Sequence, residues 1–225
     1  MKTKYGLSVV NTLNINEILR QRSIFKWPRI GESQNLNDYL ASEDGLHDEH
    51  FRKFMPKDEV ISFRNPLGKF FRGIRRETAD GVVVFSIIPG PGELIPICAE
   101  FKHGIEEISI NLPGGGNHNN EKHSNLAKEE FEQETGMVLD KVIELSPLGI
   151  SSDARVNKSR TFYFLGVVND PPVVHGKKLD EDEFLEPLLI PLAEWLKLIK
   201  TNKVIDGQSI ICTYLALAKL GRIKV

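Results

Sequence analysis

Residues 126–136 read LAKEEFEQETG, four carboxylates in eleven residues closed by a glycine. How this run is read decides the fold. It is either a solvated acidic face or a helix that aims particular carboxylates at something. At about 100° per residue with Ala127 as zero, Phe131 lies near ~40°, Glu134 near ~-20° and Glu130 near ~-60°. These four residues share one stripe. Glu130 and Glu134 are thus i,i+4 neighbours beside the apolar contacts, where like charges repel and something positive is expected between them. Glu129 and Glu132 fall on the opposite side with Lys128, which is placed to pair with Glu132, and Gln133 flanks the carboxylate stripe. Oxygen donors without a cysteine or histidine on the same stripe suit Mg²⁺ or Mn²⁺ better than zinc. Taken alone, the helix supports a merely solvated acidic face equally well.

Outward from the helix, the pattern is rich in strands. From about residue 80, GVVVFSIIP and ELIPICAEF are β-rich runs separated by GPG, which reads as a hairpin. IEEISINL then runs into PGGG, and polar NHNNEKHS leads to the helix. VIELSPLGI and RTFYFLGVV follow as strand-like runs, the second with Phe162 and Phe164 on one face and Tyr163 on the other. After a polar loop, PLAEWLKLIKTN and DGQSIICTYLALAKLG carry helical spacing, with Asp206 as N-cap and Gly221 as terminator. Strands first, one helix in the middle and helices last predict a mixed α+β sheet, not a regular βαβ repeat.

Residues 1–75 read as an N-terminal extension: short helix-like patches (NINEILRQ, NLNDYLASE, DEHFRKFM) alternate with polar segments and Pro28, Pro56 and Pro66, without clean periodicity. Its end is basic, with Arg64, Lys69, Arg72, Arg75 and Arg76 among Phe63, Phe70 and Phe71. A solvated edge is the plainer reading of that cluster, and Arg76 is kept as a substrate-binding candidate. Residues 76–225 form the expected main domain.

A chain of 225 residues can bury one sizeable core. With 29 basic against 31 acidic residues, net charge -2, it has no global nucleic-acid footprint, and nucleic acid is a disfavoured partner. Apolar runs fall short of the roughly 20 residues that span a bilayer, and MKTKYGLSVV lacks a signal h-region. No membrane association and a cytoplasmic location are therefore expected. Cys98 and Cys212 sit in apolar runs without a CxxC and read as buried free thiols. The GGG run lacks the Gly-Lys-Ser/Thr of a P-loop, there is no Gly-x-Ser-x-Gly elbow, and His118 and His123 read as surface residues.

The longer text GGNHNNEKHSNLAKEEFEQETGM, residues 115–137, resembles the Nudix box. Gly115, Glu121, Glu130, Phe131, Glu134, Gly136 and Met137 stand at that family's spacings, while Glu129 replaces its arginine and Gln133 the first glutamate of its final pair. The likeness extends over roughly residues 80–220 and looks closest to the ADP-ribose and nucleotide-sugar pyrophosphatase branch. It implies a Nudix-type α/β/α sandwich with a mixed sheet and a nucleoside diphosphate-linked small molecule as substrate. It also implies a Mg²⁺ (or Mn²⁺) site drawn from Gly114, Glu121, Glu130, Gln133 and Glu134. Catalysis is assigned to Glu130 and Glu134, with Glu183, or alternatively Glu181, as general base or outer ligand from the acidic loop DEDEFLEP. Lys102, where the branch often has arginine, becomes a substrate-binding candidate beside Arg76. The branch also implies a homodimer to which residues 1–75 contribute contacts. Two functions follow as expectations: pyrophosphate hydrolysis giving a nucleoside monophosphate and a sugar phosphate, or a catalytically impaired Nudix domain that binds a nucleotide-like ligand.

Overall fold

The runs GVVVFS, LIPICA, TFYFLGVV and LEPLLI place apolar residues on both of their faces, so a layer of helices is required on each side. The computed structural model supplies them. It describes residues 3, 6–22, 36–48, 55–64, 66–88, 90, 92–168, 173–175, 178–179 and 184–224. The chain divides into two compact units, one of Met1–Lys26, Asp80–Ile150 and Thr161–Val225, the other of Trp27–Ala79 and Ser151–Arg160.

In the first unit, β1 (Ser8–Val9), β9 (Leu185–Pro191), β5 (Leu94–Lys102) and β6 (Glu107–Asn111) form a sheet in the order β1-β9-β5-β6. Its β1/β9 pair is parallel and the others are antiparallel. A second sheet runs β4 (Gly81–Ser86), β8 (Thr161–Val168), β7 (Leu139–Glu144), with β4 parallel and β7 antiparallel to β8. On one face Val82, Val84, Phe164 and Leu189 bury against Leu126, Ala127 and Phe131 of the acidic helix. On the other, Val83, Phe85, Tyr163, Leu165 and Leu188 bury against Trp195, Leu198, Cys212 and Ala216. The mixed α+β sandwich expected from the sequence is the observed fold. Among the described residues, no helix is long and apolar enough to cross a membrane.

The elements end where their residues dictate. The acidic helix is α4 (His123–Thr135), preceded in the chain by α1 (Ile15–Gln21), α2 (Leu36–Ala41) and α3 (Glu43–His47). It stops at Gly136, whose φ of 72° is the left-handed conformation that glycine adopts without a Cβ clash. After α5 (Leu192–Lys200), the Asp206 carboxylate caps α6 (Gly207–Lys219) by accepting from the Ser209 N–H at 2.9 Å. Trp195 is fully buried core and donates its indole N–H to Thr213 Oγ1 at 2.9 Å.

Two local readings need correction. GVVVFSIIP and ELIPICAEF do not form a hairpin: β4 and β5 lie in different sheets and meet at one isolated bridge, Ile88 with Leu94. The reason is that their edges are already taken. β5 is held between β9 and β6, while β4 has β8 on one edge and the carbonyls of Pro113 and Gly115 on the other. Further, residues 57–77 lack readable periodicity yet form an antiparallel hairpin in the second unit, β2 (Lys57–Arg64) with β3 (Phe70–Glu77). Three consecutive cross-strand pairs, Lys57 with Glu77, Asp58 with Arg76 and Glu59 with Arg75, set its register by charge instead of by an apolar stripe. The first 26 residues, part of the expected extension, lie in the first unit because β1 pairs with β9. Most of DEHFRKFM lies outside the described residues.

The segment after β1 is tied to α5 by Glu194, whose Oε2 accepts from the Thr12 N–H at 3.0 Å and the Thr12 hydroxyl at 2.7 Å. These bonds, backbone first, hold the Glu194 carboxyl below the usual carboxylate range. A lowered folded-state value stabilises above the unfolded value and is lost as pH falls through the folded one. The protection factor of the Thr12 amide, its exchange rate relative to the intrinsic rate at the same pH, is therefore expected to fall on acidification, and Glu194→Gln should flatten that dependence. An unchanged pH profile in the variant would count against the tether.

Candidate functional site

The site is built where PGGG passes between β4 and α4. Val84 N–H donates to the Pro113 carbonyl and Val82 N–H to the Gly115 carbonyl, both at 2.9 Å, so this segment lies along β4 like an added strand. In an extended chain one residue's N–H and C=O leave on the same edge, and neighbours alternate. Pro113 and Gly115 therefore face β4 while Gly114 faces the helix. Consistent with this, the Gly114 N–H donates to Glu134 Oε2 at 3.0 Å. Glycine is needed twice here. A Cβ on Gly114 would strike the backbone of Val82 and Val83, and one on Gly115 would overlap the Glu130 carboxylate.

The helix wheel is observed. Ala127 and Phe131 are fully buried, Glu134 is only 3% exposed and Glu130 is half-buried on the same stripe. Burying a carboxylate is costly unless it is hydrogen-bonded, and Glu134 accepts from the Gly114 N–H at 3.0 Å and from the Cys98 thiol at 3.5 Å. Burial first, then the charges of Glu134 and Glu100, pushes the Cys98 thiol well above its ordinary value, so it stays a protonated donor. Both cysteines are free and buried, as the sequence reading holds, and Cys98 is in addition part of the site.

Residue by residue, the other candidates fall as follows. Glu121 is held by Asn117: Asn117 Oδ1 accepts from the Glu121 N–H and Asn117 Nδ2 donates to the Glu121 carbonyl, each at 2.8 Å. The Asn117 N–H in turn donates to the Asp80 carbonyl at 2.6 Å. His123 stacks on Phe162 with ring centroids 3.8 Å apart, so it is a loop anchor, not a bare surface residue. Gln133 donates its amide to Glu129 Oε1 at 3.1 Å, joining the two departures from the box as an i,i+4 pair. Lys128 does not pair with Glu132; it donates to the Asp140 carbonyl at 2.7 Å, and Glu132 meets His175 Nδ1 at 2.7 Å. Lys102 pairs with Glu100 at 2.6 Å. Arg76 belongs to the second unit, where it pairs with Asp58 at 2.8 Å. Glu181 and Glu183 lie outside the described residues.

Sequence reasoning singled out Lys102 but missed Glu100, Asn111 and the site role of Cys98 in the row beneath α4. Cys98, Glu100 and Lys102 alternate onto one face of β5, and Asn111 stands opposite Cys98 in the ladder. Asn111 Nδ2 donates to Glu100 Oε1 at 3.1 Å, while its buried Oδ1 has no hydrogen-bond partner among the described residues. A polar residue at every second position of ICAEFK, and asparagine just before LPGG, was the available signal.

No family model matches the chain. It is 25% identical over 130 residues to the ADP-ribose pyrophosphatase of Bacillus subtilis (strain 168), covering 57% of this chain and 68% of that enzyme. The crystal structure of an ADP compounds hydrolase superposes with a TM-score of 0.61 at 16% identity, covering 75% of this chain and 90% of that one, a likeness of fold.

The two glycines separate experimentally. Gly114→Ala meets backbone and is expected to lose about 1–3 kcal/mol of stability, whereas Gly115→Ala, which meets a side chain able to swing away, should lose clearly less. Urea denaturation of both variants is the check, and equal losses would overturn the distinction.

Proposed function

We propose that this chain is a metal-dependent pyrophosphatase of the Nudix type, hydrolysing a nucleoside diphosphate derivative, ADP-ribose or a nucleotide sugar, to a nucleoside monophosphate and a sugar phosphate. The observation that carries the reading is the seating of Glu130 and Glu134 against Gly114 and Gly115, the part of the box that the chain keeps. The pyrophosphatase name of its curated relative supports the substrate class.

The donors fit a hard cation. Among the described residues, no three His, Cys, Asp or Glu side chains converge as a ready-made cluster. Two carboxylates and the Gly114 carbonyl, which leaves β4 on the helix side, make an oxygen set of the kind that Mg²⁺ accepts while keeping several waters and taking substrate phosphates. A bound Mg²⁺ or Mn²⁺ supplies neutralisation of pyrophosphate charge and acidification of water. Glu130 and Glu134 would hold it with Gly114, and the Asn117 clamp fixes where Glu121 enters the loop. Cys98 and the Gly114 N–H fix the Glu134 carboxylate without competing for a second cation. Lys102 brings positive charge to the same strand face. Glu183, with Glu181 as alternative, is the proposed base that takes the proton of the attacking water.

One observation favours the binding-module alternative: Gln133 spends its amide on Glu129, so that position brings no charge to the site. The decisive experiment is turnover of ADP-ribose, nucleotide sugars, dinucleoside polyphosphates and deoxynucleotides with Mg²⁺ and with Mn²⁺. Cleavage of the first two classes is expected, and Glu134→Gln should cut it by roughly 10²-fold or more with folding retained. Thermal stabilisation by ADP-ribose without any turnover would replace the hydrolase by the binding module. Gln133→Glu should tighten Mn²⁺ about fivefold through the added charge, read by calorimetry.

A further inference from the structure

The face of the sandwich opposite α4 carries a cavity of about 620 Å³ between α1, β6 and α5. That volume is ordinary for a small-molecule site. Its floor is apolar and belongs to the core: Ile15, Leu19, Ile110 and Leu198 are all buried, with Ile108 beside them. Its rim is cationic, with Arg20, Lys197 and Lys203, all exposed, and among the described residues no carboxylate lines it. Lys197 Nζ lies 3.8 Å from Glu194, which also accepts two hydrogen bonds from Thr12, and it donates to the Thr12 hydroxyl at 3.0 Å. Arg20 and Lys203 form no ion pair among the described residues, which leaves the rim with unneutralised positive charge over an apolar floor.

We propose that this cavity binds an amphiphilic anion, a medium-length aliphatic chain ending in a carboxylate or phosphate. The chain would replace water over Ile15, Leu19 and Ile110, where apolar burial drives binding. The head group would sit among Arg20, Lys197 and Lys203, where a neutral head gains only uncharged hydrogen bonds and a cationic head is repelled. The four floor residues belong to the core on the α5 and α6 side, whereas Ala127 and Phe131 of the Glu130/Glu134 helix belong to the core on the other. The proposal therefore does not depend on the hydrolase reading.

The test is NMR titration of the ¹⁵N-labelled full chain with decanoate and decyl phosphate, against decanol and decylammonium as controls, all below their aggregation concentrations. Both anions are expected to give saturable shifts confined to amides of α1, β6 and the end of α5, with decanol at least tenfold weaker. The double variant Arg20→Glu, Lys203→Glu should weaken decanoate at least tenfold and leave decanol unchanged. Ile108→Trp, which fills the cavity, should abolish the shifts. Scattered or non-saturating shifts, or equal binding of decanol and decylammonium, would overturn the proposal. Should Ile108→Trp fail to fold, the charge-reversed variant, altered only at exposed positions, still decides.

Discussion

Everything in the candidate site depends on two backbone hydrogen bonds, from Val82 and Val84 of β4 to the carbonyls of Gly115 and Pro113. They fill the free edge of β4, which is why β5 pairs elsewhere and the tempting hairpin does not form. They also fix the phase of the glycine segment. With Pro113 and Gly115 committed to the sheet, Gly114 must present its N–H to α4 and receive Glu134. One edge-pairing choice thus sets both the sheet topology and the direction in which the site's backbone faces.

That arrangement explains how the fold tolerates a carboxylate at a core position. An isolated buried carboxylate would be neutralised by protonation or driven out, because losing hydration costs far more than one apolar contact returns. Glu134 is instead given a backbone amide and a thiol that burial keeps protonated. Glu130, one turn earlier, has no room problem because Gly115 lacks the atom that would occupy its place. The two stacked carboxylates thus each rest on one glycine of the segment, Glu134 through the Gly114 N–H and Glu130 through the room left at Gly115.

Much of this was legible in the sequence. The stripe of Ala127, Phe131, Glu130 and Glu134 follows from helical geometry alone, and the double-faced strands follow from apolar runs with no polar side to spare. The opposed faces of Phe164 and Tyr163, and the Asp206 cap, likewise follow from local rules. What failed was non-local. Whether β4 pairs with β5 or with a glycine segment thirty residues on is decided by competition for edges, which periodicity does not encode. The β2/β3 hairpin was hidden because charges opposite one another set its register and Val60, Phe63, Phe70 and Ile74 stay exposed. Lys128 and Glu132 each found partners outside the helix, which an i,i+4 rule does not anticipate.

The two thiols give the molecule a built-in reporter. Cys98 lies fully buried beneath α4, and Cys212 fully buried on the sheet-facing side of α6, 3.5 Å from the Val83 carbonyl. Neither can meet an alkylating reagent unless its helix lifts from the sheet. Their two labelling rates therefore time separately the opening of the two outer layers, using only the chain's own sulfur atoms.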